Sequence, residues 1–196
     1  CWVVALASQF IGAAQLALRW FPSVPIWVFA TLFALLVFGL NALSVGWFAT
    51  AEDYFSSIKF YAILVFIILG LLAIFGILPY EGTSSAPLFT NLTANGLFPN
   101  HWIGVISVML SVNYAYSGVE MIGIAAGETD NPKEAVPKAI RSTIGLLVAF
   151  FSLTILVLAS LLPMDQAGVV EAPFVVVFEK IGIPYAADIM NFVILT

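Results

Sequence analysis

Asn113-Tyr-Ala-Tyr-Ser-Gly-Val-Glu-Met-Ile-Gly-Ile-Ala-Ala-Gly-Glu128 is the stretch on which the fold turns. It begins inside an apolar segment that opens at Trp102. Ser117-Gly118 then weakens the helix, because glycine carries backbone entropy and serine competes for backbone hydrogen bonds. Glu120 follows, a carboxyl where hydrocarbon is expected, and the segment ends in the polar turn Glu128-Thr-Asp-Asn-Pro132. Eight residues separate Glu120 from Glu128, about 12 Å of helix at 1.5 Å per residue. A helix breaker beside an acid at that depth needs a reason. Intramembrane carboxylates are expensive and usually face a cavity or a partner. Two readings stay open for Glu120, function or ion coupling against a structural hydrogen-bonded pair. Two stay open for Tyr116-Ser117-Gly118, a functional break against a small-residue packing patch.

Composition supports the membrane setting. The 196 residues are 62% hydrophobic and 9% charged, with a mean hydropathy of +1.10. A soluble domain carries about 25% charged residues, so this chain cannot cover a surface in water. A net charge of −5 argues against nucleic-acid binding, which needs a basic face. One cysteine and one histidine, Cys1 and His101, exclude a disulfide framework and Cys- or His-rich metal sites. No nucleophile–histidine pairing is visible, so neither an enzyme nor a cofactor is expected. The sequence opens without Met, closes within an apolar run and shows no signal-peptide pattern. The expectation is an internal piece of a longer polytopic protein.

A membrane helix needs about 20 mostly apolar residues. Spans are expected over 1–18, 25–48, 59–78, 102–126, 142–162 and 185–196, all within one transmembrane domain. Thr50-Ala-Glu-Asp53 resembles a capping box and predicts a short interfacial helix over 51–58. Residues 79–101 read as an external loop; the Asn91-Leu-Thr93 acceptor pattern within it is common by chance. Asn131-Pro132 reads as N-cap and first turn of a short amphipathic helix, and a further short helix is expected over 174–180. Lys59, Lys133, Lys138 and Arg141 fall on one side of the spans, Arg19 and Lys180 on the other. The positive-inside rule places the first group in the cytoplasm.

Two further polar groups are candidates. Lys59 sits where the charged segment meets a span; it is either an interfacial lysine reaching for water or a buried lysine that titrates in a cycle. Gln9 lies within the first span beside Ser8 and Gly12. It either lines a cavity or makes an interhelical hydrogen bond.

Ser117-Gly-Val-Glu-Met-Ile-Gly-Ile-Ala-Ala-Gly-Glu-Thr-Asp-Asn-Pro132, with Val136-Pro-Lys-Ala-Ile-Arg141, resembles the sixth-helix signature of bacterial amino-acid permeases of the amino acid–polyamine–organocation superfamily. Asn41–Glu52 and Ser57-Ile-Lys59 resemble that family's fourth and fifth helices. Asp165–Phe174 and Ile181–Phe192 look most like the S-methylmethionine permease branch. The resemblance implies an all-α integral membrane protein: helices three to seven and the start of eight of a 12-helix transporter. Its core would be two inverted five-helix repeats, with helices one and six broken at the substrate. It implies that the broken segment of Ala115, Tyr116, Ser117, Gly118 and Glu120 gives carbonyls to the substrate amino group and that Lys59 couples protons; Gln9 as a substrate-site residue and Glu120 as a second proton-coupling group are expected from their own chemistry. Two positions depart from the family pattern. Gln9 stands where many members have Glu, and Gly46 where many have Lys. The expected function is proton-coupled import of an amino acid across the bacterial inner membrane. Its expected partners are the amino acid, protons and lipid, with no nucleic acid. A membrane sensor that binds amino acid without transporting it is the competing class.

Overall fold

A computed structural model describes residues 2–42, 45–81, 86–94, 96, 100–119, 121–124, 131–163, 172–183 and 185–195. The described residues form helices and their connections: α1 (Trp2–Ala17), α2 (Ile26–Ala42), α3 (Val45–Ile74), α4 (Thr90–Thr93), α5 (His101–Ala115), α6 (Met121–Ile124), α7 (Pro132–Leu161), α8 (Pro173–Ile181) and α9 (Ala186–Leu195). Two segments among them are long and apolar enough to cross a membrane, Glu52–Ile74 and Pro132–Leu161; Val3–Ala17, Ile26–Ala42, His101–Ala115 and Ala186–Leu195 are shorter apolar helices.

Two boundaries differ from the sequence expectation. The interfacial helix expected over 51–58 is not separate: α3 runs unbroken for 30 residues, about 45 Å at 1.5 Å per residue. No proline or glycine stands between Trp47 and Leu69, so nothing interrupts the backbone, and Glu52, Asp53 and Lys59 along it are exposed. The first turns of α7 likewise continue into the apolar part of the same helix, 30 residues from Pro132 to Leu161. Asn131 is its N-cap and Pro132 its first residue, as the sequence suggests. Pro137, six positions in, removes one hydrogen-bond donor close to an end that already has unpaired donors, so the helix tolerates it. The short helix expected over 174–180 is α8. It starts on Pro173 and stops at Gly182, whose φ of 75° is the left-handed cap that glycine accepts without strain.

The chain divides into two compact units, Cys1–Phe66 with Tyr80–Gly82 and Val169–Thr196, and Ile67–Pro79 with Thr83–Gly168. In the first, α1 packs on α2 and α9, and α8 packs on α9. Its buried residues include Ala14, Ala17, Phe66, Val175, Phe178, Met190 and Asn191. The Phe66 ring meets Phe174 and Phe178 edge-on at 4.8 and 5.7 Å. The Asn191 amide, 2% exposed, donates from Nδ2 to the Leu16 carbonyl at 3.0 Å. In the second unit, α4 and α6 pack on α7. Asn91 Nδ2 donates to the Ser160 carbonyl at 2.9 Å, so the acceptor-pattern asparagine ties α4 to α7. Gly70 of α3 lies so close to α7 that a methyl group on it would overlap the buried Val157 side chain.

Much apolar surface stays uncovered. On α5, Trp102, Ile103, Ile106, Met109 and Leu110 are exposed, and none of its residues is buried. On α2, Trp27, Leu32, Leu35, Leu36 and Phe38 are exposed. Water does not favour such surface, since each Å² of apolar area in contact with it costs about 25 cal/mol; lipid does.

Candidate functional site

The polar groups fall in two places. The first is a cleft of about 1840 Å³ in the first unit, walled by α1, α2, α3 and α9 with the start of α8. That volume exceeds the roughly 300–1,000 Å³ of an ordinary small-molecule pocket, so the feature is an open groove. Gln9 and Lys59 both line it. Sequence reasoning named these two separately; the fold brings them to one wall-lined space.

The cleft also holds groups that the sequence reading did not assign to a site. Glu52 and Ser56 line it beside Lys59. Their spacing of i, i+4, i+7 puts all three on one face of α3, a signal available in the sequence and obscured by treating 51–58 as a separate helix. Asp188 and Asn191, one turn apart on α9, also line it, as does Arg19 beyond the end of α1. Arg19 Nε donates to Asp188 Oδ1 at 2.9 Å, and its Nη2 donates to Glu179 Oε1. Those two carboxylates raise the Arg19 pKa above its ordinary value, the Asp188 hydrogen bond contributing most. The cleft thus offers one lysine, one arginine and two carboxylates against apolar helix walls. Such a set presents both signs of charge, as a zwitterion does.

The second place is the end of α5 in the second unit. The helix stops at Ala115, and Tyr116 is its C-cap. The Tyr116 N–H still reaches Val112 O at 3.2 Å, but the Ser117 N–H turns to Tyr114 O at 3.1 Å, a tightened last turn. Ser117 Oγ also donates to Tyr114 O, at 2.7 Å, which caps that carbonyl a second time. Gly118 follows at φ +102°, a conformation that a side chain would strain. The Tyr116 ring stands edge-on to Phe151 of α7 at 5.3 Å, fixing the turn to the long helix. The chain is helical again from Met121 to Ile124. Ala115, Tyr116, Ser117 and Gly118 are therefore neighbours where α5 gives way to a non-helical turn. Glu120 lies outside the described residues. No group of three or more His, Cys, Asp or Glu that could hold a metal ion occurs among the described residues.

The described residues thus form helices with extensive exposed apolar surface, two of them long and apolar enough to span a bilayer, beside a cleft that sets a few charged groups against apolar walls. Comparison with known proteins makes the class specific. The family model described as Amino acid permease matches residues 1–196, and the chain belongs to the amino acid permease family. It is 49% identical over 194 residues to "Amino-acid permease RocE" of Bacillus subtilis (strain 168), covering 99% of this chain and 42% of that protein. It is 39% identical over 197 residues to the "Gamma-aminobutyric acid permease" of the same organism, covering 100% of this chain and 41% of the relative. It is 33% identical over 212 residues to "Lysine-specific permease LysP" of Lactococcus lactis subsp. cremoris (strain MG1363), covering 100% of this chain and 40% of the relative. The chain thus spans about two-fifths of the length of the curated relatives it matches. No solved structure matches it.

Proposed function

We propose that the protein imports an amino acid across the bacterial plasma membrane by proton-coupled alternating access. The observation that carries the reading is the placement of Lys59 and Gln9 on one largely apolar cleft, in a chain of the amino acid permease family. On this reading the spans 1–18, 25–48, 59–78, 102–126, 142–162 and 185–196 belong to a 12-helix bundle with inverted repeats. The turn Ala115–Gly118 is the break in its sixth helix. At a broken helix the carbonyl end of one half and the N–H end of the other point at the break, each carrying its share of the helix dipole. They match the ammonium and carboxylate of a zwitterion. Lys59 is the proton site: charged, it repels a second cation in the cleft; neutral, it does not. Glu120 is the second candidate for the proton. The substrate is an amino acid of the kinds that the relatives' names print, lysine or γ-aminobutyric acid, or S-methylmethionine, toward which the segments 165–174 and 181–192 point.

The test is uptake of labelled amino acid by the intact protein in proteoliposomes under an imposed proton gradient, with a competition panel of those three compounds. Lys59→Ala abolishes accumulation and leaves exchange partly intact; unchanged accumulation removes Lys59 from coupling. Glu120→Gln impairs uptake at normal expression; wild-type uptake makes Glu120 structural. Binding without flux in the wild type favours the sensor reading over transport.

A further inference from the structure

We infer that Arg19 is a latch that holds one edge of the open cleft by tying α1 to α8 and α9, and that its release widens the cleft at that edge; the inference rests on the transport reading. The latch is built from three distant pieces of chain. Arg19 follows the last turn of α1; Glu179 stands in the last turn of α8 and Asp188 in the first turn of α9. Its guanidinium uses two separate nitrogens, Nε to Asp188 at 2.9 Å and Nη2 to Glu179. Arg19 and Asp188 also line the cleft, so the pair stands at the groove itself.

What makes this a latch is its contrast with the neighbouring tie. One turn along α9 from Asp188, Asn191 donates to the Leu16 carbonyl, three residues before Arg19. Asn191 is 2% exposed, and breaking a buried hydrogen bond leaves an unsatisfied polar group. That tie is built to stay. The Arg19, Glu179 and Asp188 side chains are 26%, 44% and 46% exposed. Water solvates all three when the pairs part, and such pairs are individually weak. The deeper tie is a pivot and the shallower one opens. The α8 end of the latch is itself anchored, because the Glu81 N–H donates to the Lys180 carbonyl at 2.8 Å. Opening therefore separates Arg19 from the α8–α9 pair. Arginine stays protonated across the physiological range, more so beside two carboxylates, so proton loss from Arg19 is not the trigger.

The experiment uses the intact protein in sealed vesicles, in a cysteine-free background with Ala13→Cys as reporter. Ala13 lies on the α1 wall of the cleft. A membrane-impermeant thiol reagent is added outside. Arg19→Gln and Asp188→Asn raise the labelling rate about threefold to fivefold, the range that one or two part-exposed ion pairs support. Arg19→Lys, which keeps the charge but not the fork, falls between. If Arg19→Gln does not fold, the Glu179→Gln/Asp188→Asn double variant gives the same readout with Arg19 intact. Labelling unchanged in Arg19→Gln and in Asp188→Asn, or in the double variant, overturns the latch. Altered labelling with no flux in the wild type supports the latch and overturns transport.

Discussion

Placing a methyl group on Gly70 tests how α3 and α7 meet in the second unit. A Cβ there would overlap the Val157 side chain, chiefly Cγ1, and Val157 is fully buried at 0% exposure. Valine in a helix is held in one strongly preferred rotamer, so the side chain has little freedom to turn aside and the two helices must part. Overpacking of this kind costs about 1–3 kcal/mol. Replacing a mid-helix glycine by alanine returns about 1 kcal/mol through helix propensity. With the overpacking cost near its middle, about 2 kcal/mol, Gly70→Ala loses roughly 1 kcal/mol net. In a Val157→Ala background the obstruction is gone and only the propensity gain remains, so the same substitution stabilises. The assay is the thermal midpoint of the detergent-solubilised intact protein at one heating rate, in a four-way cycle of wild type, both single variants and the double variant. A change of sign between backgrounds is the expected result. Gly70→Ala that stabilises the wild-type background, or equal effects in both backgrounds, refutes the close approach.

Asn191→Ala removes the bond to the Leu16 carbonyl and lowers stability by about 1–2 kcal/mol, read as a lower thermal midpoint; a neutral result means that the amide does not tie α9 to α1. Tyr80 is 8% exposed, and burial pushes its hydroxyl up to about 12 from an ordinary 10. Folding therefore holds the proton more tightly than the unfolded chain does, so the protein loses stability as pH rises from about 10 to 12. Two pKa units amount to about 3 kcal/mol at most. Near-ultraviolet absorbance titration of wild type against Tyr80→Phe checks this: Tyr80→Phe lacks the late-titrating phenol and its stability falls less steeply at alkaline pH. An ordinary phenol titration at that position rejects the reasoning.

Composition and short-range order made much of the protein legible in its sequence. Uncharged apolar runs announce helices for lipid because few polar side chains are present to cover them. The Asn131-Pro132 start of α7 and the Gly182 end of α8 follow from local backbone rules. Ser117-Gly118 announced a weak point because both residues act on their own turn, and the end of α5 at Ala115 lies beside them. The segment from Ser117 to Pro132 carried the family resemblance for the same reason, being contiguous.

Tertiary structure decided what depends on residues far apart in the chain. No local signal pairs Arg19 with Glu179 and Asp188, or Asn191 with Leu16, because those contacts exist only once α1, α8 and α9 are packed. Gly70 and Val157 lie 87 residues apart, and only the packed helices set one against the other. Gln9 and Lys59 were separate candidates until the first unit placed both on one cleft. Helix caps and apolar runs depend on neighbours in sequence, so they can be read from the chain itself. A cleft and its latch depend on which helix faces meet, and only packing settles that.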